Sequence, residues 1–184
     1  MIWMDEIATF MPPQDPAPAV QMTAWSGVED ALGVALPDDL KAFSTRWGAV
    51  SVGDFLTLYT VLPGFHPVMT WPSAAQGQAQ AYATLRAHGG DFYPLPAFPQ
   101  TGSMLSFAVT DNGDYLGWII DTGNPADWPI AVLDEESRQV ETFDMGIGPF
   151  LLGLIKGEIR PRAFPDDLWD DLPLKTRLMA PKGG

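Results

Sequence analysis

The chain has 184 residues, enough for one domain with a sizeable core, and 46% of them are hydrophobic, with seven Trp and ten Phe arguing against disorder. It contains no Cys, which excludes disulfides, thiolate metal sites and a Cys nucleophile together and leans towards a reducing compartment. With 23 acidic against 10 basic residues the formal net charge is −13, a balance that repels nucleic acid and anionic lipid, attracts basic partners, and also serves plain solubility.

Residues 1–20 read as an N-terminal arm. Pro12, Pro13, Pro16 and Pro18 leave no room for a helix across that stretch, although Trp3, Ile7 and Phe10 are placed to dock as a short lead-in. The opening residues carry Asp5 and Glu6 where a signal peptide is basic, and no apolar run approaches the roughly 20 residues of a membrane span. The cytoplasm is the expected location.

A first helix is predicted from about Thr23 to Leu32, capped by Thr23 or, three before Glu29, by Ser26, with Trp25, Val28 and Leu32 on its apolar stripe and Gly33 as its stop. Pro37 and Asp38 open a second, with Leu36, Leu40, Phe43 and Trp47 on one face and Gly48 at its end. Asp54 to Val61 reads as a strand, being rich in aromatic and β-branched residues. Ser73 is expected to cap a third helix, rich in Ala and Gln, that runs to His88 before Gly89 and Gly90; a Pro-rich loop follows to Gln100.

The strands come next. Met104–Thr110 and Tyr115–Ile120 flank Asp111-Asn-Gly-Asp, where Asn112 and Gly113 suit a type I′ hairpin turn. Pro129–Asp134 and Gln139–Asp144 form a second pair around Glu135, Glu136 and Ser137, and a helix over Ile147–Lys156 closes the domain. Helices, then antiparallel strands, then a helix is the order of an α+β domain. The expectation is an antiparallel sheet of five or six strands covered by helices, a main domain over 21–160, and a Pro- and Asp-rich tail over 161–184 that packs on it or extends from it.

Nothing in the chain assembles a catalytic set. His66 and His88 are the only histidines and have no metal-ligand spacing around them; a helix C-terminus explains His88. Asp111-Asn-Gly-Asp is a fragment of a calcium loop without its terminal Glu, and a turn explains it as well. Asp166, Asp167, Asp170 and Asp171 are the densest acidic group, placed as a solvated turn or a helix N-terminus. Gly146-Ile-Gly-Pro lacks the Lys and the spacing of a phosphate loop. No enzyme activity, cofactor or metal is expected.

The order of motifs is similar to that of the SUKH superfamily. A helix with Trp25 and Glu29 precedes LGVALPDDLKAFSTRWG at Leu32–Gly48. Then come GDYLGW at Gly113–Trp118, DWPIAVLD at Asp127–Asp134 and FLLGLIKGE at Phe150–Glu158. The match spans about residues 20–160 and departs at the Ala/Gln-rich helix and its Pro-rich successor. The resemblance implies a sheet-and-helix fold without catalytic machinery. In the bacterial immunity-protein branch it implies a protein that binds, occludes and so neutralises a cognate toxin. The alternative is an intracellular regulatory or scaffold protein of the same fold with an unrelated partner. An acidic inhibitor of a basic toxin domain gains from electrostatic steering. The expected partner-binding residues are therefore the acids at the strand turns, Asp111, Asp114, Asp121, Asp127, Glu135 and Glu136, with Trp128 as the aromatic anchor if it is partly exposed and a core residue if it is not.

Overall fold

A computed structural model describes residues 2–13, 15 and 22–181. Among the described residues it contains five α-helices, α1 (Ile2–Phe10), α2 (Met22–Leu32), α3 (Asp38–Trp47), α4 (Ser73–Gly89) and α5 (Ile147–Lys156). Seven strands, β1 (Val50–Val52), β2 (Leu56–Leu58), β3 (Met104–Thr110), β4 (Tyr115–Ile119), β5 (Ile130–Leu133), β6 (Val140–Phe143) and β7 (Thr176–Leu178), form one antiparallel sheet in the order β6-β5-β4-β3-β2-β1-β7. The fold is α+β. From β1 to β6 each strand lies beside its sequence neighbour, so the sheet is a meander, and the chain's last strand returns to close the β1 edge.

The two ends of the chain differ most from expectation. Ile2–Phe10 forms α1, because the apolar spacing of Trp3, Ile7 and Phe10 is helical and ends before Pro12. Ile7 is fully buried, Trp3 stacks on Trp47, and its ring lies where a side chain on Gly148 of α5 would be. The prolines at 16 and 18 lie outside the described residues. At the other end Phe164, Trp169 and Leu174 join the core, and Thr176–Leu178 pairs with Val50–Val52. The tail thus packs on the domain and completes its sheet.

Three local expectations are corrected. Asp54–Val61 is a strand only over Leu56–Leu58: Asp54 takes positive φ in the turn from β1, and Thr60 pairs in an isolated bridge with Thr70. Pro72, not Ser73, is the N-cap of α4, and its side chain makes no capping hydrogen bond. The β3–β4 turn is not type I′, which needs positive φ at both central residues, because only Gly113 has it, at 93°. Gly113 N donates to Thr110 O at 3.0 Å, and Thr110 N donates to Asp114 O at 2.9 Å. That is a three-residue loop, with Gly in the left-handed position after a tight turn.

The sheet has two unequal faces. Strand pairing places Leu116, Trp118, Ile130 and Val132 on one side. They share a cluster with Phe43 of α3 and Phe150 of α5, and Phe143 of β6 packs 5.1 Å from the Phe150 ring. Phe107, the extra residue of a bulge in β3, adds its ring 4.6 Å from Trp118. The other side carries a smaller cluster of Tyr82 on α4, Tyr93, Met104, Ala131 and Leu133. Opposed residues on this side run in a row across β2, β3, β4 and β5: Thr57, Val109, Tyr115, Leu133. Leu133 is buried, but the first three are only partly covered.

Candidate functional site

The seven residues expected to meet a partner separate into two groups. Asp111, Asp114, Glu135 and Glu136 gather at one end of the sheet, where the β3–β4 and β5–β6 turns adjoin. Asp121, Asp127 and Trp128 lie at the opposite end, beyond Ile119. The length of β4 alone puts about 13 Å between them. They do not form one patch.

In the first group Asp111 and Glu136 are exposed, while Asp114 is buried at 4% exposure and fully engaged. One of its carboxylate oxygens accepts from Thr110 Oγ1 at 2.9 Å, and the other accepts from Glu135 N at 3.0 Å. Asp114 therefore ties the two turns together, a structural task in place of partner contact. Glu135 pairs with Arg138 through two hydrogen bonds, one of 2.7 Å, and Arg138 lies 5.1 Å over the Tyr93 ring. The Glu135 bonds come first in raising the Arg138 pKa against the effect of its burial. Burial pushes the Asp134 carboxyl up, but the backbone hydrogen bonds of Ser137 and Glu136 outweigh it and hold it below the usual value. The turn is a hydrogen-bonded frame from which Glu136 projects.

In the second group Asp121 and Asp127 are exposed and Trp128 is not, at 5%. Its indole packs into the main core and Nε1 donates to Asp121 O at 3.2 Å. Trp128 takes the core role.

A feature that the residue patterns did not reveal lies on the half-covered face. A cleft of about 500 Å³ opens between α4, the sheet and a 3₁₀ turn at Pro67–Met69. Thr57, Val109 and Tyr115 line it from the sheet, and Ala74, Gly77, Gln78 and Ala81 line it from α4. Those four α4 positions follow the i, i+3, i+4, i+7 spacing of one helix face, and three of them are Gly or Ala. Gly77 sits inside a 17-residue helix, where glycine costs about 1 kcal/mol relative to alanine, and a Cβ there would meet nothing within 4 Å. The polar groups at the cleft are neutral. The Tyr115 phenol pKa is raised by burial and then by the Glu135 carboxylate, so it is a hydrogen-bond donor at neutral pH. Gln78 is 7% exposed as a whole residue, but its carboxamide, which makes no hydrogen bond among the described residues, keeps access to solvent.

Charge is distributed unevenly around this cleft. Between Phe55 and Thr110 the only Lys, Arg, Asp or Glu residues are Arg86 and Asp91. The same segment carries Val68, Leu85 and Phe92, which are exposed at 62%, 42% and 58%. Elsewhere the bases are largely consumed: Lys41, Arg46, Arg138, Lys156, Arg162 and Arg177 each pair with a carboxylate. The exposed field is therefore that of the unpaired acids.

Among the described residues no group of three or more His, Asp or Glu side chains is placed to hold a metal ion. His66 Nδ1 accepts from Val68 N at 3.3 Å, and His88 Nδ1 lies 2.7 Å from Thr84 O in the last turn of α4. Asp166 and Asp167 begin a 3₁₀ turn that ends in the buried Trp169. Among the described residues no helix is long and apolar enough to cross a membrane. No family model, no curated protein and no solved structure matches the chain.

Proposed function

We propose that the chain is a non-enzymatic, SUKH-like binding protein of the cytoplasm that neutralises a basic toxin domain by occluding it. The observation that supports this most is the charge arrangement. Six basic side chains are held in ion pairs, while Asp111, Asp121, Asp127 and Glu136 are exposed at turns. A negative field of that kind accelerates encounter with a basic partner and disfavours nucleic acid. The absence of Cys and the wide separation of the two histidines in sequence agree with a protein that acts by contact and does no chemistry. The α+β architecture is compatible with the family resemblance without deciding it.

Co-expression with a basic toxin domain encoded beside this chain tests the reading. Growth should be restored, and the two proteins should co-purify as a complex that high salt slows in forming. Unchanged killing, with no complex, would favour the alternative of a regulatory or scaffold protein with another partner.

A further inference from the structure

Resting on the reading above, we infer that the cleft beneath α4 is the docking site for an apolar side chain of the basic partner, with the Asp111–Glu136 end of the sheet receiving the Lys or Arg residues beside it. At about 500 Å³ the cleft falls within the range of about 300–1,000 Å³ that holds a small molecule, which is room enough for an apolar side chain. Its lining has no charged residue, which suits the centre of a protein interface, where charge is depleted. Val68, on its rim, is 62% exposed and supplies apolar surface that none of the described residues covers.

Two observations point to an occupant. The first is Gln78, which lines the cleft and whose carboxamide, open to solvent, makes no hydrogen bond among the described residues. That carboxamide has donors and an acceptor to offer the backbone of a docked segment. The second is Gly77, a glycine with ordinary helical backbone whose missing side chain leaves the cleft open.

Charge complementarity selects the partner's chemistry. Tyr115 lines the cleft, begins β4, and follows directly on Asp114 of the acidic turn. The Glu135 carboxylate is close enough to raise the Tyr115 pKa, and Gly113 approaches the Glu135 side chain. One end of a neutral cleft therefore adjoins Asp111, Glu135 and Glu136. An apolar anchor flanked by basic residues fits both parts. An acidic segment fits only the first.

The experiment uses the full chain, ¹⁵N-labelled, and short blocked peptides carrying one central Trp, Phe or Leu flanked by either Lys or Glu. Lys-flanked peptides should shift the amides of Gly77, Gln78, Val109 and Tyr115, and Glu-flanked ones should not. Gly77→Leu fills the cleft with a better helix former, so it should retain the fold by its thermal transition and lose about tenfold or more in affinity. Gly27→Ala, on α2 and outside the cleft lining, should bind as the wild type does. Asp111→Asn with Glu136→Gln should weaken the Lys-flanked peptides and leave the Glu-flanked ones unaffected. Shifts absent from these amides, equal binding of both peptide classes, or undiminished binding by folded Gly77→Leu would each overturn the inference. A toxin domain neutralised equally by wild type and Gly77→Leu would remove the cleft while sparing the proposed function. A toxin domain that wild type fails to bind, with the peptide shifts intact, would remove the function while sparing the cleft.

Discussion

Leu116 and Leu133 lie on adjacent strands of the same sheet and are equally buried, yet they face different surroundings. Leu116 points into the cluster that holds Phe43, Phe107, Trp118 and Phe150. Leu133 points into the small cluster under α4, and its cross-strand neighbour Tyr115 lines an open cleft. One face is packed to hold the fold together. The other is covered only in part, by a helix whose sheet-facing stripe is Ala, Gly, Gln and Ala, and it leaves surface for contact.

The largest test of that contrast is a pair of truncations. Leu116→Ala should cost about 4–5 kcal/mol in urea unfolding and Leu133→Ala about 2–3, because the cost grows with the cavity that cannot collapse, and the second site can relax towards the cleft. Equal losses would mean that both faces are packed alike.

A smaller effect is expected at Asp39, which joins elements within the packed side. Its Oδ2 accepts from Ile147 N at 2.9 Å, so a residue at the start of α3 satisfies a donor at the start of α5. Asp39→Ala should cost about 1–2 kcal/mol, and Asp39→Asn, which keeps an acceptor, much less. Burial raises the Asp39 pKa above 3.8, against the lowering by backbone hydrogen bonds from Ile147 and Leu40. A raised pKa stabilises the fold below the unfolded value and loses that contribution as pH rises through the folded one. The stability advantage of wild type over Asp39→Asn should therefore grow as pH falls towards 3.8, as measured by chemical denaturation across a pH series. An advantage that shrinks on acidification would contradict the burial argument.

Much of the packed side was legible in the sequence, and little of the open side. The stripes of α2, α3 and α5 follow from apolar residues three and four apart, since a helix repeats locally and its core face needs no distant information. Leu40, Phe43 and Trp47 were placed correctly for that reason. β1 and β7 were not seen, being three residues each and held by partners far away in the chain. The β3–β4 hairpin was recognised from Asn112-Gly113, but its turn type depends on the Thr110 and Asp114 side chains bonding across it. The same bonding buries Asp114, which composition alone ranks with the exposed acids. The cleft is least legible of all. It combines β2, β3, β4, α4 and a 3₁₀ turn, and only the pairing register brings Thr57, Val109 and Tyr115 into one row.

The smallest stability effect expected is a gain. Gly77→Ala should raise stability by up to about 1 kcal/mol, because its backbone is helical and the added methyl meets no atom. A loss would show that the cleft wall is tighter than its open space indicates.

Recruitment of a basic partner by the exposed acids is the proposal on which the functional reading rests. It is tested most directly by the association and dissociation rates of the complex with the basic toxin domain across a salt series. The proteins compared are wild type and the double variant Asp121→Asn with Asp127→Asn. Steered association reaches ~10⁸ M⁻¹s⁻¹ at low salt and falls as salt rises. The wild type should show that fall, and the variant a slower and flatter association with dissociation nearly unchanged. Association indifferent to salt in both proteins would contradict the claim and leave the charge of −13 a matter of solubility.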